Sequence, residues 1–132
     1  MTTYFADTSY WVALIDRRDQ HHSKATELSQ HISGSIVTTE AVLLETANSF
    51  SRPSWRLKAI ALINHLLGRN DIVVDKGDWL AGWRLFTARA DKAWSLTDCI
   101  SFELMRSRSL TEALSADTHF NQAGFNALLL AQ

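Results

Sequence analysis

Four acidic side chains, far apart in the sequence, are of the type that binds divalent metal ions in proteins: Asp7, Glu45, Asp98 and Asp117. Two carboxylates ~4 Å apart repel each other by ~4 kcal/mol at an effective dielectric constant of about 20, so a cluster of them needs a cation. Oxygen ligands favour Mg²⁺ or Mn²⁺. The sequence has no set of His and Cys residues at the spacing of a zinc site.

The chemistry that such a metal site supports is the hydrolysis of phosphodiester bonds. One or two cations held by carboxylates can lower the pKa of a water molecule, polarise the phosphorus centre and stabilise the leaving oxygen. The cations would also shield the acids from an anionic substrate. Four hydroxyl groups beside the acids are candidates for holding a water or phosphate oxygen, although helix capping explains most of them equally well: Thr8, Ser9, Thr97 and Ser115.

Helix capping is the alternative interpretation for three of the four acids. Asp7 and Asp117 each leave an apolar segment just before a predicted helix, where an acid stabilises the helix dipole. Asp98 completes the segment SLTD, residues 95–98, which has the pattern of a capping box. Taken one at a time, these three positions are explained by structure as well as by function.

Glu45 has no such alternative, because it lies inside a predicted helix and amid apolar residues. Burying a lone carboxylate is costly, so the side chain needs a partner or a cation. The residues three and four positions further along the helix are Asn48 and Ser49, and neither is basic. The sequence therefore indicates a functional role for Glu45.

The elements that position these acids are short apolar strands alternating with helices. We predict strands at residues 3–6, 35–39, 71–75 and 112–117, and a further strand at 126–130. The first predicted helix is capped by Ser9 and ends at residue 15. The other predicted helices cover residues 23–32, 39–50, 54–67, 78–90 and 97–108, and a short last helix ends at residue 123.

This alternation is typical of an α/β domain in three α/β/α layers, with a mainly parallel sheet of four or five strands. Ligand sites in such sheets lie beyond the carboxyl ends of the strands, which is where Asp7 and Asp117 fall. Asp98 begins a helix at the same rim, and Glu45 lies about a turn and a half into the helix after the second strand. We therefore expect the four acids to converge.

The composition predicts one domain over residues 1–132. Hydrophobic residues make up 46% and charged residues 20% of the chain, which excludes a disordered protein. The longest uncharged stretch is too polar to cross a membrane, and no targeting segment is predicted at the N-terminus. The single cysteine, Cys99, excludes an internal disulfide and fits a cytoplasmic location. The net charge of −1 does not by itself indicate nucleic-acid binding, although a local basic patch can be hidden in that average.

Four segments, taken together, resemble the motifs of PIN-domain ribonucleases of the VapC-like toxin group: FADTSYWVALID, VTTEAVLLETAN, SLTDCISFELM and ALSADTHFNQAGF. They occur in the family's order and at its usual spacing, from residue 5 to residue 125. The family's acids fall on the four acids named above, and none is replaced. Ser115 stands where Thr is usual before the last acid, which keeps a hydroxyl at that position.

The resemblance implies a PIN-like fold, dependence on Mg²⁺ or Mn²⁺, and endonucleolytic cleavage of RNA. It further implies a homodimer and inhibition by a small antitoxin protein, as in type II toxin–antitoxin pairs. Two other functions compete with this interpretation. A non-catalytic RNA-binding or assembly module could keep the fold without the reaction. A haloacid dehalogenase type phosphatase acting on phosphate monoesters would need a second acid two residues after Asp7, where Ser9 stands, and no lysine lies near the last acid.

Two further groups of residues have two interpretations each. Arg84, Arg89 and Lys92 are the preferred candidates for RNA binding, although most basic residues here are expected to be solvated surface charges. The residues Trp79, Trp83 and Phe86 form one stripe of a predicted helix. Core packing is the first interpretation of this stripe, and a dimer or antitoxin surface is the second.

Overall fold

The computed structural model describes residues 1–131, and its strands and helices alternate as the sequence predicts. The strands are β1 (Thr3–Ala6), β2 (Ser35–Thr39), β3 (Ile72–Asp75), β4 (Glu112–Leu114) and β5 (Asn126–Ala127). The helices are α1 (Thr8–Ile15), α2 (His22–His31), α3 (Glu40–Ser49), α4 (Pro53–Leu67), α5 (Trp79–Ala88), α6 (Leu96–Ser107) and α7 (Thr118–Gln122). None of the helices in this part of the chain could span a lipid bilayer, because none is both long and apolar enough.

The five strands form one parallel sheet in the order β3-β2-β1-β4-β5. The predicted fold class, an α/β/α sandwich around a parallel sheet, is confirmed. The chain builds the sheet outward from β1 through β2 to β3 and then crosses to β4 on the other side of β1. This reversal of direction leaves a crevice at the carboxyl ends of β1 and β4, which is where ligands bind in open α/β sheets.

The core packs against the sheet, and most of its buried side chains are apolar. Phe5 and Ala6 of the central strand are fully buried. Phe120 of α7 packs against Phe5 with ring centroids 6.1 Å apart, and Phe102 of α6 meets Phe120 edge-on at 4.9 Å. Burying each such ring contributes roughly 1.5–3 kcal/mol. This packing holds α6 and α7 against the strand ends at which the acids lie.

Side chains cap the starts of α3 and α6, whereas the predicted cap of the first helix does not form. The Thr39 hydroxyl accepts a hydrogen bond from Val42 N–H at the start of α3, and Ser95 and Asp98 form a capping box at the start of α6. The prediction that Ser9 caps the first helix is wrong, because α1 begins at Thr8. The hydroxyl of Ser9 is used elsewhere, in the cluster of acids.

Two predicted strands are shorter in the structure. The predicted strand 112–117 ends at Leu114, so Asp117 lies three residues beyond β4 and just before α7. The predicted strand 126–130 keeps only its first two residues, because β5 is an edge strand that pairs with β4 alone. The chain turns after Ala127, although Leu129 is still buried in the core.

The aromatic stripe of α5, formed by Trp79, Trp83 and Phe86, is exposed, so the prediction that it packs into the core is wrong. The three residues are 61%, 43% and 40% exposed to solvent, respectively. Their rings stack on one another, with centroids 6.0 Å apart for the first pair and 5.6 Å for the second. Helix α5 has apolar residues on more than one side, so its sequence alone does not decide which side is buried.

The side of α5 that is buried contains a glycine. A Cβ atom added to Gly82 would lie 3.1 Å from the backbone nitrogen and Cα of Ile100 in α6. Ile100 is itself buried and lies two residues after Asp98. The absence of a side chain at Gly82 therefore lets α5 approach the backbone of the helix that carries Asp98.

Candidate metal centre

Asp7 lies at the carboxyl end of the central strand. Its backbone N–H donates to the Leu114 carbonyl over 3.1 Å, which extends the pairing of β1 with β4. Its side chain is buried, and the residue is 4% exposed. Oδ2 accepts hydrogen bonds from the hydroxyls of Ser9 at 3.0 Å and Ser115 at 2.9 Å. These contacts hold the carboxyl group in one orientation in the crevice between β1 and β4.

The pKa of the Asp7 carboxyl is raised from 3.8 to about 7. Burial is the main cause, because it destabilises the anion, and the negative charge of Asp98 acts in the same direction. The hydrogen bonds from Ser115 and Ser9 oppose the shift, because they stabilise the anion. Asp7 therefore ionises near neutral pH, and a cation beside it would favour the anion further.

Asp98 presents its carboxylate at the N-terminus of α6. Its Oδ2 accepts from Ser95 N–H at 3.1 Å, and its own N–H donates to Ser95 Oγ at 3.0 Å. Burial raises the pKa of Asp98, the backbone N–H of Ser95 lowers it, and the charge of Asp117 raises it. The carboxylate of Asp98 therefore caps α6 and also belongs to the group of acids, so the two interpretations of this residue are compatible.

His119 lies between two of the acids. Its Nδ1 is 3.1 Å from Asp98 Oδ2 and 3.3 Å from Asp117 Oδ1. The backbone N–H of His119 also donates to Asp117 Oδ1 over 2.9 Å, which caps α7. One ligand atom from each of the three residues lies within 4.8 Å of the others, and residues 1–131 contain no other trio of His, Cys, Asp or Glu side chains with that property.

Glu45 is half-buried on α3 and lines a pocket of about 600 Å³. Leu96 and Thr97, the two residues before Asp98, line the same pocket. No ion pair within residues 1–131 involves Glu45, which agrees with the absence of a basic residue at helical spacing. The charge of Asp98 raises the pKa of Asp7, and the charge of Asp117 raises the pKa of Asp98. Glu45 therefore lies in a pocket beside the start of α6, and none of the three aspartates lines that pocket.

The four candidate hydroxyls have different surroundings. Ser9 and Ser115 lie 3.3 Å apart and both donate to Asp7. Their oxygens also accept backbone N–H groups, those of Ala116 and Asp117 respectively. The Oγ1 atom of Thr8 is buried and has no hydrogen-bond partner among residues 1–131. Thr97 lies in the pocket with Glu45. Two of the four thus orient an acid directly.

The three candidate RNA-binding residues are not equivalent. Arg89 pairs with Asp91 through two hydrogen bonds of 2.9 and 3.0 Å. Its guanidinium also lies 5.2 Å from the ring centroid of Trp94, and Lys92 Nζ lies 6.0 Å from the same centroid. Trp94 is buried, so its ring is not accessible for stacking on a base. Arg84 is exposed on α5 and has no ion-pair partner in the described part of the chain.

Of the four acids that the sequence predicts to converge, Asp7, Asp98 and Asp117 come together, and Glu45 lies in the pocket beside the start of α6. The residue that sequence reasoning did not select is His119. Its only signal in the sequence is its place two residues after Asp117, which a helix start explains equally well. Its contact with Asp98 depends on how α7 packs against α6.

The chemistry of these side chains fits a hard divalent cation. Asp7 is buried as an acid whose anion is costly without a counter-charge. Asp98 Oδ1 and Asp117 Oδ2 have no hydrogen-bond partner within residues 1–131, so each acid keeps an oxygen free to bind an ion. Carboxylate oxygens at this density are the ligands of Mg²⁺ and Mn²⁺ sites.

Comparison with known proteins agrees with this architecture. The 23S rRNA-specific endonuclease VapC20 of Mycobacterium tuberculosis is 26% identical over 125 residues, which cover 92% of this chain and 94% of VapC20. The same relative is found in two strains of that organism. The crystal structure of VapC20, described as a sarcin–ricin loop cleaving toxin, matches with a TM-score of 0.86 and 26% identity. That match covers 94% of this chain and 97% of the VapC20 chain.

The sequence model of the PIN domain matches residues 4–126, which is nearly the whole chain. This match includes all four acids and every strand, except for the first residue of β1 and the last residue of β5. The chain therefore belongs to the PIN domain family.

Proposed function

We propose that this protein is a metal-dependent endoribonuclease that hydrolyses RNA phosphodiester bonds. The observation that carries the proposal is the burial of Asp7 beside the charge of Asp98, which in turn lies near the charge of Asp117. Three acids in a partly buried crevice are unfavourable unless a cation neutralises them. The likeness to VapC20, a 23S rRNA-specific endonuclease, supports RNA as the substrate.

In this proposal the ion is Mg²⁺ or Mn²⁺, and Asp7, Glu45, Asp98 and Asp117 hold it directly or through water. When bound, the ion supplies the positive charge that activates a water molecule and stabilises the leaving oxygen. Ser9 and Ser115 keep the Asp7 carboxylate fixed. The N-terminus of α6 stabilises the anionic form of Asp98 through its capping box and the helix dipole.

The biological role proposed for the chain is that of the toxin in a type II toxin–antitoxin pair. VapC20 is described as a toxin that cleaves the sarcin–ricin loop, and its match covers nearly all of this chain. The partner would be a small antitoxin protein that inhibits the nuclease. Expression of the chain in a bacterial host should arrest growth, and Asp7→Asn should relieve the arrest.

The enzymatic proposal is tested by RNA cleavage with Mg²⁺, with Mn²⁺ and with EDTA. We expect cleavage with either ion, none with EDTA, and a loss of at least about tenfold in Asp7→Asn. Asp16→Asn, at the end of α1, is the control and should cleave as the parent does. Cleavage that persists in EDTA, or in Asp7→Asn at the parental rate, would reject the mechanism. Specific Mn²⁺ binding without any cleavage would favour the non-catalytic alternative.

The exposed aromatic stripe of α5 supports a homodimer. Stacked, uncharged rings with 40–61% exposure are unusual on a free surface, and a twofold contact can cover such a stripe with its own copy. Trp83→Lys should therefore convert the dimer to a monomer in light-scattering measurements. Leu57→Lys, an exposed apolar residue on α4, is the matched control and should not change the mass. A parent that is monomeric alone and binds only a small acidic or basic partner protein through this stripe would reject the dimer.

A further inference from the structure

The imidazole of His119 occupies a central position among the acids. Its Nδ1 lies 3.1 Å from an oxygen of Asp98 and 3.3 Å from an oxygen of Asp117. The side chain is 27% exposed, so one edge of the ring reaches solvent while Nδ1 points at the two carboxylates. The backbone of His119 is fixed in the first turn of α7 by its bond to Asp117. The ring is therefore held in place before any ion arrives.

The spacing of these three atoms suits adjacent ligands of a single ion. Two neighbouring ligands of an octahedral ion with bonds of about 2.1 Å lie about 3.0 Å apart. The two distances from Nδ1 are close to that value, and each of the three residues offers a ligand atom within 4.8 Å of the other two, so a single ion can contact all three. A carboxylate pair without the histidine would offer the ion oxygen atoms alone.

We propose that His119 supplies a nitrogen ligand to the divalent ion of the nuclease, together with Asp98 and Asp117. The inference rests on the proposed metal-dependent function and adds a ligand to it. Mg²⁺ prefers oxygen ligands and gives up its water reluctantly, whereas imidazole nitrogen suits first-row transition metals. The centre is therefore a mixed nitrogen and oxygen site that binds Mn²⁺ more tightly than Mg²⁺.

The competing role for His119 is that of a counter-charge. A protonated imidazole would neutralise Asp98 and Asp117 while no ion is bound, and an entering ion would displace it. The two roles predict opposite effects of removing the ring. As a ligand, the ring strengthens metal binding, so its loss weakens the affinity. As a counter-charge it competes with the metal, so its loss strengthens the affinity.

The decisive measurement is pulsed electron paramagnetic resonance on the Mn²⁺-loaded full chain. Imidazole nitrogen bound to Mn²⁺ modulates the echo at ¹⁴N frequencies, and these frequencies change when the protein contains ¹⁵N-histidine. We expect the modulation in the parent and in His31→Gln, which removes an exposed histidine at the end of α2. We expect its loss in His119→Gln. The labelled parent gives an answer even if that variant does not fold.

A titration of the same proteins measures the affinity. His119→Gln should weaken Mn²⁺ binding by about tenfold or more and Mg²⁺ binding by less, while His31→Gln should leave both unchanged. Specific Mn²⁺ binding to the parent without nitrogen modulation would overturn the role of His119 and leave the nuclease proposal standing. Tighter Mn²⁺ binding by His119→Gln would also overturn it, in favour of the counter-charge. A parent that binds neither ion would reject both proposals.

Discussion

The hydroxyl of Ser115 donates a hydrogen bond of 2.9 Å to Oδ2 of Asp7, although 108 positions separate the two residues. The bond joins the end of β4 to the end of β1 across the crevice of the sheet. Ser9 donates to the same oxygen from the first turn of α1. The least solvated acid of the centre is therefore oriented by hydroxyls from both sides.

Ser115→Ala should shift the acidic limb of the cleavage profile to higher pH. The hydroxyl stabilises the Asp7 anion, so its removal raises a carboxyl pKa that is already about 7. A hydrogen bond to a charged group contributes ~1.5–3 kcal/mol, which corresponds to roughly 1–2 pH units. The measurement is the rate of RNA cleavage between pH 5 and 9 at saturating Mn²⁺. Ser115→Thr keeps the hydroxyl and should keep the profile; an unshifted limb in the alanine variant would contradict this role.

Asp7→Asn should stabilise the metal-free protein at high pH. The carboxyl pKa is 3.8 when unfolded and about 7 when folded, so the native state binds more protons in between. The cost of ionising Asp7 is absent below pH 3.8, grows as pH rises to about 7 and is constant above. At its maximum, this cost lowers the free energy of unfolding by an amount on the order of 4 kcal/mol. An amide oxygen at this position could still accept from Ser9 and Ser115.

Urea unfolding with EDTA at pH 4 and pH 8 tests this expectation. The variant and the parent should differ little at pH 4, whereas the variant should be more stable by up to a few kcal/mol at pH 8. Adding Mn²⁺ at pH 8 should stabilise the parent more than the variant, because the variant lacks one anionic ligand of the ion. Equal stability of the two proteins at pH 8 without metal would show that Asp7 is not forced to ionise in a buried site.

Glu45→Gln should reduce cleavage by at least about tenfold. Glu45 is half-buried in the pocket beside Leu96 and Thr97, and no basic side chain within residues 1–131 pairs with it. Glu40→Gln is the matched control, because Glu40 is exposed at the start of the same helix. Equal cleavage by the parent and both variants would place Glu45 outside the reaction and leave the centre with three acids.

Gly82→Ala should destabilise the fold by roughly 1–3 kcal/mol, the usual cost of overpacking. The added methyl group would press on the backbone of Ile100, which is part of a packed helix and cannot move as a flexible side chain does. Gly68→Ala, at the C-terminal end of α4, is the control, since its Cβ would find ordinary contacts at 3.6 Å and 3.7 Å. Thermal unfolding measures both. An unchanged melting temperature in Gly82→Ala would mean that the contact between α5 and α6 has room for a methyl group.

Arg84→Ala should weaken RNA binding and lower its dependence on salt. Arg84 is exposed and without an ion-pair partner in the described residues, so its charge is available to a phosphate. Loss of one phosphate contact should reduce the slope of log affinity against log salt by about 1. Arg106→Ala is the control, because that guanidinium already pairs with Glu103 at 2.8 Å. Both variants are made in the Asp7→Asn protein, so that the RNA is not cleaved during the measurement. An unchanged slope would show that Arg84 does not contact an RNA phosphate.

Much of the fold could be predicted from the sequence, because the signals are local. Apolar segments of four or five residues that alternate with capped helices predict a parallel sheet, and the sheet has that form. The capping box of Ser95 and Asp98 could also be predicted, since it depends on four consecutive residues. The weakest predictions concern the end of the chain, where the edge strand β5 has one neighbour and is only two residues long.

The sequence by itself determined which acids are present and on which elements they lie, because strand ends and helix starts are set by neighbouring residues. The tertiary structure decided which side of α5 is buried, since packing on Ile100 selects Gly82 and leaves Trp79 and Trp83 outside. It also decided that His119 meets Asp98, which lies 21 positions earlier. Such a contact depends on the packing of two helices against one sheet, and no local sequence preference contains that information.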